Sequence, residues 1–470
     1  MAHIVVVTGG FTGLFNACLA LMQQLQQAGH HITYASPGEA PALLKTLNVS
    51  FASLPPWRRP VEKRNRTRWQ KLRHLRDRQQ QAVADLQMDN FSQTIQQLSP
   101  DLLLIDIELH PHIMTAVMAK YSVALLSPFI SIWRTPVTAS AQLPPIHTNI
   151  IPGEGWRGTK WGIAWSWLRY SWQKWRAYQR DRWQKVGCDY LSVLQRYSQT
   201  IHYPFRQRFG LTQWLVPYPH STLPILCLHA KEMDFPHIPH PSVQYLGPMV
   251  YEAREIGIET PEMATDKATL ARFSQQKRPD QPLIYCGCSS FSSASRPFFQ
   301  QIRAIAQQQP NWQFVIGLGG SPYPDAPETL TSNICTLQWA PQLQLLQQAN
   351  CAVINGGAHS ITECIHFGVP MLVIPLSRDD QKGNAARVAY HGIGLVHSLQ
   401  ATAETTTTSR HHFDPKQLRD RIQQLLENNQ YKARIQKLRK DIQYYAREKI
   451  AVSVVEHLLP PEHTLREAAS

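Results

Sequence analysis

The stretch from Leu337 to Ala385 restricts the possible folds of this chain more than any other part of it. Cys351-Ala352-Val353-Ile354 is a short apolar run that predicts a buried strand, and Asn355-Gly356-Gly357-Ala358 predicts a tight turn. A helix is expected from Ser360 to Phe367 and a further strand over Met371-Leu372-Val373-Ile374. A strand that runs through glycines into a helix leaves backbone N–H groups facing open space. Those orphan donors and the positive end of the helix dipole both favour an anion, phosphate above all. Ser360-x-x-Glu363 also fits a capping box, in which the same two residues merely satisfy the helix end.

The flanking residues decide between these readings. Trp339-Ala340-Pro341-Gln342, Gly356-Gly357, Ser360-x-x-Glu363, Gly368-Val369-Pro370, Asp380-Gln381 and Asn384-Ala385 follow one another in order. This series resembles the donor-sugar signature of the UDP-glycosyltransferase superfamily. Its members are the inverting GT-B enzymes of plant secondary metabolism, animal glucuronidation and bacterial macrolide or carotenoid glycosylation. The resemblance implies that Trp339 stacks on uracil, Gln342 contacts the nucleoside and Glu363 accepts from the ribose hydroxyls. It assigns Ser360 and Gly356-Gly357 to the diphosphate, Asp380 and Gln381 to the sugar hydroxyls, and Asn384 to the diphosphate or the sugar. One departure falls within the signature: Asn355 stands where the family usually has His, and His359 where it tends to have Asn. Asn still donates a hydrogen bond but carries no positive charge to a leaving diphosphate.

The amino-terminal residues read as a βαβ opening, with strand Ile4–Thr8, the loop Gly9-Gly10-Phe11-Thr12-Gly13, helix Phe15–Ala28 and strand Ile32–Ala35. The loop is not a GxGxxG pattern, so alone it says little. In the resembled family this loop carries the catalytic base in a G-H-x-N-P-like run, which gives Gly13 a place at the donor. Here the run is Gly13-Leu14-Phe15-Asn16-Ala17, with Leu14 at the histidine position. Inverting transfer needs a base for the acceptor proton, and leucine cannot be one. The family's histidine is oriented by an aspartate at the end of the fourth strand, and Leu102-Leu103-Leu104-Ile105 ends here in Asp106. Several readings therefore stand open: Asp106 as the base, His110 or His112 in its place, an acceptor acidic enough to need none, or a catalytically silent chain. His110 and His112 also read as ordinary loop histidines.

The formal net charge of +14 calls for an anionic partner, and two segments concentrate it. Arg58 to Arg78 holds ten Lys or Arg against Glu62 and Asp77, and Trp156 to Lys185 holds seven of the thirteen Trp. Trp161, Trp165, Leu168, Trp172 and Trp175 recur at helical spacing as one apolar stripe, with Arg169, Lys174, Arg176 and Arg180 off it. Three readings remain open: the stripe packs on its own domain, it meets a membrane interface or lipophilic acceptor, or it stacks on nucleic acid, the least favoured partner. The eight Cys are scattered without zinc spacing, mostly in apolar runs, so no metal site is expected and a reduced, cytoplasmic compartment is. No run is long and apolar enough for a transmembrane helix, and strand begins too early for a signal peptide.

Proline density from Phe235 to Pro241 predicts a linker, and Tyr245-Leu246-Gly247-Pro248 resembles the family's entry into the donor domain. Strands are expected over Pro282–Cys286, Gln313–Leu318 and Ile334–Trp339, with Gly287-Cys288-Ser289-Ser290 facing the diphosphate by resemblance. The Thr-rich run from Gln400 to His412 reads as a loop, and helices are expected over Pro415–Asn428 and Tyr431–His457.

The expected fold is α/β GT-B, two facing Rossmann-like doubly wound domains. Residues 1–240 would bind the acceptor, with basic and Trp-rich insertions near 57–85 and 156–185, and residues 241–440 the nucleotide-sugar. Residues 441–470 would form a helix crossing back to the first domain. The expected activity is metal-independent transfer, with inversion, of a sugar from a UDP-sugar to a hydroxyl of a lipophilic acceptor. The expected donor is UDP-glucose, used as co-substrate without a resident cofactor. Trp161, Trp165, Trp172 and Trp175 would serve acceptor or anionic membrane, with the protein resting on the cytoplasmic face. The alternative is a nucleotide-sugar-binding sensor that has lost its base.

Overall fold

The computed structural model describes residues 1–10, 12–56, 68–135, 142–210, 220, 222–255, 261–275, 280–287, 295–319, 333–376, 379–397 and 415–460. The first half builds β1 (His3–Val7), β2 (His31–Pro37), β3 (Ser50–Leu54), β4 (Leu102–Asp106), β5 (Val123–Ser127), β6 (Ile225–Cys227) and β7 (Val243–Tyr245). The second builds β8 (Leu283–Gly287), β9 (Gln313–Gly317), β10 (Ile334–Leu337), β11 (Cys351–Ile354), β12 (Met371–Val373) and β13 (Gly394–Val396). They form two sheets, in the orders β3-β2-β1-β4-β5-β6-β7 and β10-β9-β8-β11-β12-β13. The pairings within both sheets are parallel.

Both faces of each sheet are covered, which is why the strands read as continuous apolar runs. Val5, Val7, Leu103 and Ile105 face one core, while Ile4, Val6, Leu102 and Leu104 face another shared with helix Thr12–Gln27. Leu283 and Tyr285 likewise alternate with Ile284 and Cys286 in the second sheet. In each sheet the strand order reverses once, between β1 and β4 and between β8 and β11. Ligands of such sheets bind beyond the carboxyl ends of strands at that reversal. Asp106 ends β4, and Gly287 and Asn355 end or follow β8 and β11.

The proline-rich segment is not the boundary expected at residue 240. β7 follows it and pairs with β6 through Ile225 and Val243, so the first sheet continues to Tyr245. The end of the chain returns to the first domain: Ala451 and Val455 join the core beside Leu14 and Leu25, and His30 Nε2 lies 3.2 Å from a Glu456 carboxylate oxygen. In place of one closing helix the chain forms Asn429–Ile442, Tyr444–Arg447 and Ile450–Glu456. Among the described residues, no helix is long and apolar enough to cross a membrane.

A buried ion pair joins the two domains. Arg387, on helix Asp379–His391, donates from Nε to Asp234 Oδ1 at 2.7 Å and from Nη2 to Ser131 Oγ at 2.7 Å, with its guanidinium over the Phe235 ring. Asp234, Ser131 and Phe235 belong to the first domain, and all are buried. Arg387→Met strands the Asp234 charge in the interior and is expected to destabilise the protein by about 3–5 kcal/mol in urea unfolding. Asp234→Asn in the same chain should recover part of that loss. Unchanged unfolding of the single variant would remove the pair from the domain contact.

Candidate active site

The residues that end β4 and β11 face one another across an interdomain cleft of about 390 Å³. From the first domain it is lined by Gly13, Leu14, Asp106, Glu108 and Phe129, and from the second by Trp339, Asn355, Ser360, Glu363 and Asp380, among others.

The turn after β11 needs glycine. Gly356 has φ +87°, and a Cβ there would stand 2.8 Å from Val373 Cγ1. Helix Ala358–Phe367 follows, with Gly357 at its N-cap and no side-chain cap. The capping box therefore does not form. Glu363 instead accepts from Arg254 Nη1 on one carboxylate oxygen and from Gln342 Nε2 on the other. The helix start is left with backbone N–H groups directed toward the cleft. Two buried side-chain nitrogens beside it, Asn355 Nδ2 and His359 Nε2, have no hydrogen-bond partner among the described residues. Unsatisfied buried polar atoms are rare, and two together at a helix N-terminus mark a place for an anion. Burial first, then the nearby His229 and Arg254, hold His359 well below the usual histidine pKa, so its ring is neutral at pH 7.

The second domain positions the remaining groups of the cleft. Trp339 is 42% exposed, so an indole face is open to a ring. Its loop is held by Asp266, which accepts from the Gln338 N–H at 3.1 Å and the Trp339 N–H at 2.6 Å. Gln342 Oε1 accepts from the Tyr285 hydroxyl at 3.0 Å, and Glu255 accepts from the Leu343 and Gln344 N–H groups at the start of helix Gln342–Gln348. Gln381 lines the cleft and accepts from the Leu376 N–H at 3.0 Å.

The structure brings together Gly13, Asp106, Trp339, Gln342, Asn355, Gly357, Ser360, Glu363, Asp380 and Gln381. It leaves others apart. Asn384 is fully buried behind the cleft, where Nδ2 donates to Gly356 O at 3.0 Å and Asp380 Oδ2 at 3.3 Å, so it braces the turn and does not line the cleft. His110 and His112 are also misassigned as base candidates. His110 Nδ1 pairs with the Tyr190 hydroxyl at 2.8 Å and packs edge-on to Phe209, and His112 packs edge-on to Phe91 with burial pushing it down to about 3. Both point into the helical layer, because helix His110–Met118 runs back along the sheet. Ser289 and Ser290 lie outside the described residues.

Of the three readings of the Trp stripe, packing on its own domain is the one the structure does not bear out. Trp161, Trp165, Trp172 and Trp175 are 80%, 57%, 55% and 58% exposed and do not line the cleft. The face of helix Lys160–Lys185 that packs inward carries Ile163, Trp167, Tyr170 and Lys174, with Trp167 Nε1 donating to Leu143 O at 2.8 Å. Lys174, expected among the solvated cations, is buried, which lowers its pKa to about 7.

Two residues that motif reading passed over complete the cleft. Arg254 neutralises Glu363, and Glu108 stands two residues beyond Asp106, its N–H donating to Asp106 Oδ1 at 3.0 Å. A charge two positions from a strand-end aspartate was the available signal for Glu108; Arg254 gave none, since the linker that carries it is distant in sequence. Burial first, and then the Glu108 charge, push Asp106 up to about 7, against the bonds from the Glu108 and Gly9 N–H groups.

The two facing parallel sheets and the cleft at their strand ends define a GT-B fold. Solved structures agree over nearly the whole chain: the kitacinnamycin glycosyltransferase has a TM-score of 0.65 at 18% identity, covering 98% of this chain and 99% of that one. VinC, a glycosyltransferase in complex with dTDP, has a TM-score of 0.57 at 16% identity, covering 97% and 98%. The family model for UDP-glucuronosyl and UDP-glucosyl transferases matches residues 303–443. The NDP-glycosyltransferase YjiC of Bacillus subtilis is 28% identical over 141 residues, 28% of this chain and 36% of that protein. The oleandomycin glycosyltransferase of Streptomyces antibioticus is 31% identical over 118 residues, 25% and 26% of the two chains. The matched segments thus span well under half of these relatives. Over residues 303–443 the chain is similar to the UDP-glycosyltransferase superfamily, and over its whole length it shares the GT-B fold.

An aspartate whose folded pKa is raised from 3.8 to about 7 holds a proton that the unfolded chain has lost between those values. Its contribution to stability therefore falls as pH rises through that window and then levels off. Asp106→Asn removes this penalty. Its stability advantage over the natural chain should grow between about pH 4 and pH 7 in urea unfolding and stay constant above. A gap independent of pH would contradict the raised pKa.

Proposed function

We propose that this protein transfers a hexose from a UDP-sugar, with UDP-glucose as the first candidate, to a hydroxyl of a lipophilic small molecule with inversion at the anomeric carbon. The observation that carries the reading is the uncapped start of helix Ala358–Phe367 with Asn355 Nδ2 and His359 Nε2 left unpartnered beside it, in one cleft with Trp339 and Asp380. Trp339 stacks on the base, and Glu363, reoriented from Arg254, accepts from the ribose. Asp380 and Gln381 take the sugar hydroxyls. The diphosphate rests on the helix N–H groups, Ser360 and Asn355, donors that stabilise the charge developing as it leaves. They do the work a metal ion does elsewhere, so turnover should persist in EDTA.

The acceptor hydroxyl enters from the Phe129 side, next to Asp106 and Glu108. Its oxygen forms the new bond to the anomeric carbon as the bond to the diphosphate oxygen breaks, and its proton passes to the Asp106–Glu108 carboxylate pair. Leu14 lines the cleft where the family's histidine would stand and takes no part. Like charges in one buried site keep a shared proton until near neutrality, which matches a base working at pH 7. The acceptor reaches the cleft from an anionic membrane surface on the cytoplasmic side, on which helix Lys160–Lys185 rests. Leu14 favours a second reading, a nucleotide-sugar sensor without turnover.

Release of UDP from UDP-glucose, measured with and without a set of lipophilic alcohols and phenols, separates the two. Acceptor-dependent release is expected, reduced on the order of 10²–10⁴-fold in Asp106→Asn. In the natural chain, kcat should rise with pH through about 7, where Asp106 loses its proton. Tight UDP-glucose binding by calorimetry with no release under any acceptor would establish the sensor instead. A thymidine diphosphate sugar belongs in the same assay, since stacking on Trp339 does not distinguish the two bases.

A further inference from the structure

A second cavity, of about 460 Å³, lies outside the cleft where the Trp-rich helix meets the donor domain. Three cations from separate parts of the chain line it: Arg157 before the long helix, Arg169 on it, and Lys382 on helix Asp379–His391. Among the described residues, no carboxylate lines this cavity and none of the three cations forms an ion pair. Tyr170 and Trp165 supply aromatic walls, and the His147 ring stacks on Tyr170 at 4.1 Å between centroids. Burial, and secondarily Lys382, push His147 down to about 4, so it meets a ligand as a neutral donor or acceptor.

The two domains touch tightly at this point. A Cβ on Gly383 would stand 2.1 Å from Ile146 O, so the loop that carries His147 is pressed against the helix that carries Lys382. The cavity is therefore shared between domains. Three converging positive charges attract one compact anion, and the aromatic walls suit an anion joined to an apolar body.

Trp165 belongs both to this cavity and to the exposed stripe of Trp161, Leu168, Trp172 and Trp175. Exposed indoles in a row beside basic side chains are the chemistry of a bilayer interface, where rings sit at headgroup depth and cations meet phosphate. Arg176, over the Trp172 ring at 4.6 Å, continues the pattern. We propose that the cavity is the headgroup seat of a membrane-docking face, taking the phosphate of an anionic phospholipid while the Trp stripe enters the interface. This deepens the membrane part of the proposed function. It is independent of the transfer chemistry, since docking requires no turnover.

The test is sedimentation of the full chain with vesicles of phosphatidylglycerol and phosphatidylcholine, against pure phosphatidylcholine, at rising salt. Binding to the anionic vesicles is expected to fall on the order of a hundredfold in Arg157→Gln/Arg169→Gln/Lys382→Gln, from roughly fivefold per cation at an anionic surface. It should also fall in Trp161→Ala/Trp172→Ala and be unchanged in Asp106→Asn. Vesicle binding lost in the Trp variant but unaffected in the triple variant would overturn the headgroup seat and leave the membrane face standing. Absence of binding to either vesicle would overturn both, while UDP release with a soluble acceptor would still report on the transferase reading. Calorimetry with inorganic phosphate and glycerol phosphate distinguishes the source. Tight binding of either, lost in the triple variant and without vesicle binding, would make this a soluble-phosphate site and overturn the lipid assignment.

Discussion

Arg387 and Asp234 pair in the interior where the two domains meet, and the cleft depends on the orientation they help to fix. Two doubly wound domains joined by a short connection have no intrinsic preferred orientation, and interdomain contacts of ordinary polarity permit relative motion. A buried guanidinium that also reaches Ser131 and covers Phe235 narrows that freedom, because a rotation that parts the pair with the interface still closed leaves a charge buried without its partner. Helix Asp379–His391 carries Arg387 together with Asp380 and Gln381, so the residue that pairs across the domains and those that line the cleft cannot move separately. Asn384, one turn on from Asp380, ties this helix to the Gly356 turn.

With Leu14 at the position where the resembled family has histidine, Asp106 has no imidazole there to orient. Where an imidazole is present, a buried carboxylate orients it and compensates its charge. Here Asp106 has no imidazole partner in the cleft and instead adjoins a second carboxylate, Glu108. An isolated exposed carboxylate is too weak a base to draw a proton from an alcohol at neutral pH. Burial and a like charge raise its basicity, at a cost in folding free energy. The stability penalty and the basicity are two consequences of one desolvation.

Local pattern carried much of the architecture. The strand, turn and helix around Gly356 were legible because an apolar run, two glycines and a 3.6-residue period leave few alternatives, and the order of motifs picked out residues that the fold gathers in one cleft. Three kinds of information were not local. β7 lies beyond a proline-rich segment that reads as a linker, and only pairing with β6 brings it into the first sheet. Arg254 reaches Glu363 from 109 positions away, a contact that no spacing rule encodes. His110 and His112 follow Asp106 closely in sequence, but a helix turns their side chains toward Tyr190 and Phe91 and away from the cleft.

Helix Lys160–Lys185 shows why periodicity alone cannot assign a face. Trp161, Trp165, Leu168, Trp172 and Trp175 repeat at steps of four and three, and so do Ile163, Trp167, Tyr170 and Lys174. The sequence offers two stripes on one helix, the stronger of them by composition being the one that stays outside. What decides is the neighbouring chain: Leu143 O accepts from Trp167, and His147 stacks on Tyr170, so the stripe with polar handles for those partners turns inward. Lys174 is drawn in with it, despite its charge, because its long apolar stem completes the same face. The outward stripe keeps its indoles in water, an arrangement that burial against an apolar phase relieves at roughly 25 cal/mol per Å². A contiguous exposed apolar face rimmed by cations is thus a surface whose energetic minimum lies in contact with something else.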